Sequence, residues 1–345
     1  LIPFDLPNPI NNRGRSMSVH PQTAIVAVLF FAFSCFSGAA DAAHHEEQKA
    51  VLVTGATSGI GLRIAEELAA NGYFVYAGAR KQEDMDRLNK MENVEAVRLD
   101  VTVQDDIDAA VTQIRDAGRG LYGLINNAGV FIGGPVTDVE IEETIWLFDV
   151  NVFGVYRVTQ ALAPMIIEQK GRIATIGSIS GVGSSTFFSQ YSMSKHAVEA
   201  FTDSLAQEMA RFDVDVSIIE PGNYDSKIVA TAYERMMDKG YIKQDSPYAE
   251  DLRKFMEWPA DRSIYQPPDA VAEAALHAMS DEQPLRRYMV VPSEDEARWA
   301  IGAAIRELAQ YNEWQEFSFS RDDLMAMLDA AMSKTAEEVK IGTEE

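Results

Sequence analysis

The amino-acid sequence predicts a single doubly wound α/β domain, with a parallel sheet of about seven strands and a helical C-terminal extension. Two observations predict this fold class. Short apolar runs alternate with helical patterns from about residue 47 to 292, and turn-forming or polar residues end most of the runs. Because helices cover both faces of a parallel sheet, its strands read as continuous apolar runs.

The strands and helices follow in order along the chain. The predicted strands are 50–54, 73–77, 94–99, 121–125, 172–176, 214–219 and 288–291. The first helix places Ile60, Ile64 and Leu68 on one face and ends at Asn71-Gly72. Later helices are predicted at 104–117, 141–169, 190–212 and 268–279, and the extension covers 293–345, helical to about residue 335.

Composition excludes several classes of protein. The chain has 345 residues, 47% of them hydrophobic, so it can bury a core and is not mainly disordered. Its net charge of −23 disfavours nucleic acid or an anionic membrane surface as a partner. The single cysteine, Cys35, excludes an internal disulfide, and the five histidines show no metal-ligand spacing, so we predict no metal site.

Residues 1–46 are predicted to be a targeting segment. Ten apolar residues run from Ala24 to Phe33, and small residues follow as far as Ala40-Asp41-Ala42. This order is typical of a secretory signal with its cleavage site. The run is short for a spanning helix, which needs about 20 residues, but extended to Gly38 it would serve as an uncleaved anchor. The sequence leaves export and membrane anchoring both open.

A glycine-rich turn follows the first strand. Residues 54–61 read Thr-Gly-Ala-Thr-Ser-Gly-Ile-Gly and open the first helix. Glycines there allow a tight turn and bring backbone N–H groups close to a pyrophosphate. The turn therefore predicts a dinucleotide site formed by Thr54, Gly55, Ser58, Gly59, Ile60 and Gly61.

The second strand ends without the acidic residue that binds a ribose 2′-hydroxyl in many NAD sites. Ala79 stands there, followed by Arg80 and Lys81. No carboxylate repels a 2′-phosphate, and the Arg80 guanidinium is suited to bind one. This favours NADP, with NAD still possible. The alternative is a solvated basic pair at a strand end.

Polar residues also end the third and fourth strands. Asp100 stands beside Val101, and Asn127-Ala128-Gly129 follow the fourth strand. Ligands of open α/β sheets bind at the carboxyl ends of strands. We therefore expect these residues to contact the cofactor, with Asp100 accepting from the adenine amino group. Taken singly, each is also a common turn former.

A tyrosine and a lysine share one helix face. Tyr191 and Lys195 are four residues apart, so the phenol and the ammonium project to the same side. A nearby ammonium lowers a phenol pKa and makes it a general acid or base. Ser178, 13 residues upstream, is placed to bind the same substrate oxygen, and Asn151 to hold a proton-relaying water. These four residues are the predicted catalytic group.

Residues from about 48 to 292 resemble the short-chain dehydrogenase/reductase family. The 54–61 turn matches its TGxxxGIG motif, and Asn126–Gly129 matches its NNAG motif. The four catalytic candidates match its tetrad. Pro221-Gly222 matches its PG motif, with Ser226 in place of the usual Thr. Residues 171–222 are similar to the branch of 17β-hydroxysteroid and retinol dehydrogenases.

The resemblance implies a Rossmann-type fold and hydride transfer between a nicotinamide and an alcohol, ketone or aldehyde. It gives Tyr191 the proton transfer, Ser178 the polarisation of the substrate oxygen and Asn151 the support of the relay. Lys195 lowers the pKa of Tyr191 and binds the nicotinamide ribose. The further cofactor contacts implied are Pro221, Gly222 and Ser226. Family members usually pair through the helices at 141–169 and 190–212, which implies a homodimer or homotetramer.

The segment 223–266 is longer than an ordinary connection and is predicted to be an insert over the substrate pocket. Its apolar residues imply a bulky apolar alcohol or ketone if they line the pocket, or packing if they do not: Tyr233, Met236, Met237, Tyr241 and Phe255. The competing function is a non-catalytic NADP-binding or scaffold protein. Such a protein would have lost the tyrosine or the lysine, and both are present.

Overall fold

The structure, a computed structural model, describes residues 48–241, 243, 245–257 and 262–341, and side chains as far as residue 333. The predicted targeting segment and Cys35 lie outside the described residues.

Seven parallel strands form one sheet. They are β1 (Ala50–Val53), β2 (Phe74–Ala79), β3 (Val94–Arg98), β4 (Gly123–Asn126), β5 (Arg172–Ile176), β6 (Asp215–Pro221) and β7 (Arg287–Val290). Their order in the sheet is β3-β2-β1-β4-β5-β6-β7. The prediction of a doubly wound parallel sheet is confirmed. Because the chain order reverses between β1 and β4, the crevice at their carboxyl ends is the expected ligand site.

Eleven α-helices occur in the described residues. They are α1 (Gly59–Ala70), α2 (Gln82–Leu88), α3 (Gln104–Asp116), α4 (Ile141–Phe148), α5 (Val155–Glu168), α6 (Ser189–Met209), α7 (Ile228–Asp238), α8 (Ala249–Met256), α9 (Asp269–Ser280), α10 (Glu294–Glu313) and α11 (Arg321–Ile341). The prediction of one continuous α-helix at 141–169 is wrong in one respect. A π-helical turn, Asp149–Gly154, separates α4 from α5.

Two apolar layers cover the sheet, one on each face. Val51, Val53 and Val75 face the layer formed with α1 and α9. Leu52 and Tyr76 face the layer formed with α3, α5 and α6. Both faces of β1 are therefore buried, which explains its unbroken apolar sequence. Each fully buried Leu or Ile stabilises the fold by about 1.5–3 kcal/mol.

Among the described residues, one helical stretch is long and apolar enough by composition to cross a membrane. It is Ile141–Glu168. Its α5 part packs Val158, Leu162 and Ile166 into the core layer on the sheet. Over its most apolar window 56% is buried. The apolar character of this stretch is that of a helix packed against a sheet.

Two helices, α10 and α11, form the C-terminal extension. The Ser293 hydroxyl accepts a hydrogen bond from the Glu296 N–H at the start of α10, 3.3 Å away. α10 buries Ala300 and Ala303. Several large apolar side chains of the extension are exposed, among them Ile305, Trp314 and Met332.

Candidate active site

The glycine-rich turn lies directly against the chain that follows β4. Gly55 has a φ of +65°, and a Cβ there would lie 2.9 Å from the Ala128 Cα atom. A Cβ on Gly61 would collide with the Asn127 side chain and with the Gly55 carbonyl oxygen. Both positions therefore require glycine, because neighbouring atoms leave no room for a Cβ.

Hydrogen bonds join the same two segments. The Thr54 hydroxyl oxygen accepts from the N–H groups of Asn127 and Ala128, each at 2.9 Å. In return, Asn127 Nδ2 donates to the carbonyl oxygens of Thr54 and Gly55, at 2.9 and 3.1 Å. The two sequence motifs thus form one rigid unit. Gly129 follows directly, and a Cβ there would lie 3.5 Å from Asn151 Oδ1.

The N-terminus of α1 is suited to an anion. Ser58 precedes the helix in an extended conformation, its hydroxyl makes no capping hydrogen bond, and no acidic residue occurs in the first turn. The first N–H groups of a helix have no intrahelical acceptor, and the helix dipole favours negative charge there. Gly59 and Ile60 therefore present donors that fit a pyrophosphate.

Arg80 and Asp100 lie together where β2 and β3 end. Arg80 Nη1 is 3.6 Å from Asp100 Oδ2, and 69% of the arginine side chain is exposed. The Thr102 N–H and hydroxyl both donate to Asp100 Oδ1. Burial acts to raise the pKa of Asp100, but the Thr102 hydrogen bonds and Arg80 outweigh it and lower the pKa. Beside this pair, the Val101 side chain is buried in the core against Gly154.

The predicted contacts after β6 reach the same edge of the sheet. Pro221 is the last residue of β6 and pairs with Val290. The Gly222 N–H donates to the Val290 carbonyl oxygen at 2.8 Å. Ser226 lies over the glycine-rich turn, its Cβ 3.2 Å from where a Cβ of Gly59 would stand.

The tyrosine and the lysine stand on α6 as predicted. The Lys195 ammonium is 5.6 Å from the centre of the Tyr191 ring and donates to the Ile176 carbonyl oxygen at 2.8 Å. Ser178 follows β5, and its Oγ accepts from the Ser180 N–H at 3.1 Å. Ser178 also lies close enough to the Tyr191 hydroxyl to lower its pKa.

In this structure the net shift of the Tyr191 pKa is upward, opposite to the lowering that Lys195 was expected to cause. Burial raises the pKa of Tyr191 to about 12, and the Ser178 hydrogen bond opposes this only in part. Burial also lowers the pKa of Lys195 to about 8, against the opposing effect of Glu199. Burial dominates both groups, and the ammonium is engaged by a backbone carbonyl. Tyr191 is therefore a protonated phenol at neutral pH.

Asn151 connects the loop after β4 to α6. It lies in the π-helical turn, accepts from the Val130 N–H at 2.8 Å and donates to the Val130 carbonyl at 2.9 Å. Its Nδ2 also donates to Ser194 Oγ at 3.1 Å, and Ser194 donates to the Tyr191 carbonyl at 2.7 Å. Asn151 thus reaches Tyr191 through Ser194. Sequence reasoning missed Ser194, although it lies between the two predicted catalytic residues of α6.

Two buried carboxyl groups lie behind Lys195, and sequence reasoning missed them. Glu199 is one helical turn after Lys195, and Glu220 is on β6. Arg287 is 3.4 Å from each carboxyl group. Burial, followed by the opposing carboxylate, raises the pKa of Glu199 to about 8, and burial also raises the pKa of Glu220. The spacing of Glu199 from Lys195 was the available signal, since i and i+4 share a face.

A row of aromatic rings begins at Tyr191. Phe131 lies 5.1 Å from it, edge to face, and Phe188 lies 5.2 Å from Phe131. Phe255 of α8 continues the row, 5.8 Å from Phe188. We call these four rings the aromatic wall. Phe131 and Phe188 come from separate loops, so the sequence carried no signal that joined them.

Most of the insert residues expected to line a pocket pack instead. Tyr233, Met236 and Tyr241 are buried in one apolar cluster. The Tyr233 hydroxyl donates to the Phe255 carbonyl, and the Tyr241 hydroxyl donates to Glu143. Met237 is 62% exposed. Of the five expected residues, only Phe255 joins the aromatic wall.

Comparison with known proteins agrees with this geometry. A family model described as short chain dehydrogenase matches residues 49–236. The chain is 34% identical to the NADPH-dependent 3-dehydrocapnine reductase of Ornithobacterium rhinotracheale over 70% of its length and 88% of that protein. It is 32% identical to human retinol dehydrogenase 16, over 71% and 81%.

A solved structure is also similar. A short-chain dehydrogenase from Streptomyces avermitilis has a TM-score of 0.64 and 31% identity, covering 77% of this chain and 96% of that one. The resemblance to the family, including its retinol and hydroxysteroid branch, is confirmed. The interlocked glycine turn, the serine–tyrosine–lysine group and these matches lead to one conclusion: the chain is an oxidoreductase of the short-chain dehydrogenase/reductase family.

Proposed function

We propose that this protein is an NADP-dependent oxidoreductase that moves a hydride between the nicotinamide and an apolar secondary alcohol, ketone or aldehyde. One observation carries the proposal. Tyr191 is a protonated phenol close to Ser178, its ring centre lies 5.6 Å from the Lys195 ammonium, and its ring contacts Phe131 of the aromatic wall. A carbonyl oxygen placed there would meet two hydroxyl groups in a largely apolar setting.

The chain's own residues divide the proton chemistry among them, and the bound cofactor supplies or accepts the hydride. In reduction, Tyr191 donates its proton to the carbonyl oxygen while Ser178 donates a hydrogen bond to the same oxygen. Lys195, charged below about pH 8, stabilises the phenolate that remains. Asn151 holds α6 in register through Ser194. Oxidation of an alcohol uses the same groups in reverse.

The aromatic wall supports an apolar substrate. Its rings form an apolar row that ends at Tyr191, and a flat apolar molecule placed against them would lose water from its apolar surface. The similarity to a retinol dehydrogenase points in the same direction.

The test of catalysis is Tyr191→Phe, which removes only the hydroxyl. General acid–base groups contribute about 10²–10⁴-fold to rate, so we expect kcat to fall by at least about 10²-fold while NADPH still binds. Oxidation of NADPH followed at 340 nm, with steroid, retinoid and simple ketones as substrates, measures turnover. Full activity in the variant would remove Tyr191 from the mechanism. If the wild type binds NADPH and turns over no carbonyl substrate, the alternative of a non-catalytic NADP-binding or scaffold protein is favoured.

Preference for NADP is supported by Arg80 and by the NADPH-dependent relative. Arg80→Ala removes the exposed guanidinium. We expect affinity for NADPH to fall by about tenfold or more, as for loss of a charge-assisted hydrogen bond, while affinity for NADH stays within about twofold. Titration of both cofactors by fluorescence measures this, and equal losses for both would refute the preference for NADP.

We also propose a homodimer or homotetramer. Phe153, Tyr156 and Met193 are exposed apolar residues on the π-helical turn, α5 and α6, the region through which family members usually pair. Sedimentation equilibrium measures the assembly, and a monomer at micromolar concentration would contradict it.

For the location of the protein, we propose export or membrane anchoring by residues 1–46. Cell fractionation with the mass of the mature chain separates the two, and an uncleaved chain in the soluble cytoplasm would contradict both.

A further inference from the structure

The loop after β6 is held by two parts of the chain that lie far from it in sequence. The Asn223 N–H donates to Glu296 Oε2 at 2.8 Å, across 73 residues. The Asn223 side-chain oxygen accepts from Arg262 Nη2, also at 2.8 Å. Glu296 belongs to the first turn of α10, and Arg262 belongs to the insert. Asn223 is therefore fixed from both sides.

Gly222 is adapted to this contact. A Cβ at Gly222 would collide with Glu296 Oε2. The glycine of the PG motif thus leaves room for the carboxylate that α10 inserts beside it. The Asp225 N–H in turn donates to the Gln266 carbonyl oxygen at 2.9 Å. The backbone N–H groups of Gly222, Asn223 and Asp225 thus each have an acceptor outside the 222–226 loop.

The local sequence of α10 suggests a different use for Glu296. Ser293 and Glu296 have the spacing of a capping box, in which the glutamate side chain bonds back to the N-cap N–H. Only half of that arrangement is present, because Ser293 accepts from the Glu296 N–H while Glu296 Oε2 accepts from Asn223. The carboxylate serves the loop rather than its own helix.

The charge of Glu296 is matched within the same group of residues. Arg262 is buried and stacks on the Tyr265 ring at 3.8 Å. Burial lowers the pKa of Arg262, and Tyr265 and Glu296 act in the opposite direction. Arg262, which donates to the same Asn223, is therefore a nearby cation for the Glu296 carboxylate.

The held loop lies over the cofactor turn, since Ser226 packs on Gly59. We infer that Glu296 is a positioning residue of the cofactor site, and that α10 is a working part of that site although it lies outside the family match at 49–236. Cofactor binding and the docking of α10 are then linked, each strengthening the other. This inference rests on the proposed cofactor site at residues 54–61 and 221–226.

The experiment measures NADPH binding by fluorescence titration in the full chain. Glu296→Ala removes the acceptor, and we expect the Kd for NADPH to rise by about tenfold, in line with loss of a charged hydrogen bond. Glu296→Gln keeps an acceptor oxygen and restores most of the affinity. The matched control is Glu294→Gln on the same helix turn, whose exposed carboxylate pairs with Arg298 and is expected to bind NADPH like the wild type.

Hydrogen exchange gives a second measurement. If Glu296 had only a structural role, NADPH would not change the exchange rate of α10. In the wild type, NADPH is expected to slow exchange in α10 as well as in residues 222–226, and this protection of α10 is lost in Glu296→Ala. Unchanged affinity in Glu296→Ala, or α10 exchange that ignores NADPH, would overturn the inference. If Glu296→Ala does not fold, the wild-type exchange decides. A wild type that binds no NADPH removes the cofactor site itself.

Discussion

The two sides of the crevice are built by different means. On the cofactor side, Thr54 and Asn127 exchange hydrogen bonds with the facing backbone, and Gly55 and Gly61 let the chains touch. On the substrate side, Phe131, Phe188 and Phe255 meet through ring contacts. Hydrogen bonds to backbone atoms fix both residue type and position, whereas ring contacts tolerate exchange of one apolar residue for another. The first side is therefore specific to a cofactor, and the second is free to vary with substrate.

The two sides also differ in which residues adopt a left-handed backbone conformation, as Phe187 shows. It has a φ of +69°, a conformation that costs a bulky residue about 1–3 kcal/mol. Its carbonyl oxygen accepts from the Gly134 N–H at 2.9 Å, and its ring lies 5.9 Å from Tyr248 and 5.8 Å from Phe255. On the cofactor side, left-handed positions are glycines. On the substrate side, apolar contacts hold a phenylalanine in that conformation.

The largest effect is expected from breaking the cofactor side with Gly61→Ala. The added methyl group meets the Asn127 side chain and the Gly55 carbonyl oxygen, and overpacking of this kind costs about 1–3 kcal/mol. Because the displaced backbone forms the cofactor turn, we expect NADPH affinity to fall by more than about 10²-fold, a difference of about 2.7 kcal/mol. Urea unfolding and fluorescence titration measure the two effects.

Gly302→Ala is the control for that change. It also adds a methyl group to a helical glycine, but the nearest atom is the end of the Arg306 side chain, at 3.3 Å. Alanine is a better helix former than glycine by about 1 kcal/mol, so Gly302→Ala is expected to be neutral or stabilising. If the two variants behave alike, close approach at Gly61 is not what limits that position.

A smaller and more selective effect is expected from Phe255→Ala on the substrate side. Phe255 contacts Phe187, Phe188 and Tyr233 and is half-buried, so its truncation is expected to cost about 1–3 kcal/mol of stability. The KM for a bulky apolar substrate should rise by about tenfold, the loss expected for about 1.4 kcal/mol of binding. The Kd for NADPH should not change. Met237→Ala, at an exposed position of the insert, is the control, and a parallel loss of NADPH affinity in Phe255→Ala would erase the distinction between the two sides.

The last and smallest effect concerns the pH dependence of stability and is expected at Glu199, behind Lys195 on α6. Its carboxyl group faces Glu220, Arg287, Asp203 and Lys195, and burial raises its pKa from 4.5 to about 8. A raised carboxyl pKa gives stability that is complete below pH 4.5 and is lost as pH rises toward 8. Glu199→Gln removes this titration, so it should match the wild type near pH 4.5 and be the more stable of the two proteins near pH 8.

Urea unfolding at pH 5, 6.5 and 8 measures the difference between the two proteins. Glu208→Gln, an exposed position on the same helix, is the control and should leave the pH dependence unchanged. Stability curves for Glu199→Gln and the wild type that run parallel across this range would show that Glu199 titrates as an ordinary carboxylate.

The sequence predicted the cofactor side more completely than the substrate side, for a physical reason. The Thr54–Gly61 and Asn126–Gly129 motifs each lie within one turn of chain, so residue type and spacing carried their geometry. The aromatic wall and the Glu199–Glu220 pair join residues from separate elements, and no local pattern marks them. The short helix α2 was missed because only Leu88 in it is buried, which leaves no apolar stripe to read. Helices α7 and α8 were missed within the insert.

The burial of Tyr191 and Lys195 could not be read from their spacing either. Four residues place two side chains on one face, but the sign of a pKa shift depends on how much water the fold removes.

The contact between Asn223 and Glu296 also bears on how the protein is made. A chain leaving the ribosome carries every family motif once residue 226 has emerged, yet the residue that clamps the 222–226 loop is synthesised 73 positions after Asn223. Domains fold as units during synthesis, so we expect nascent chains to gain affinity for nicotinamide late. A truncated copy that ends after the last motif would look intact in its sequence and yet lack β7 of the sheet, α9 of the core and the α10 carboxylate.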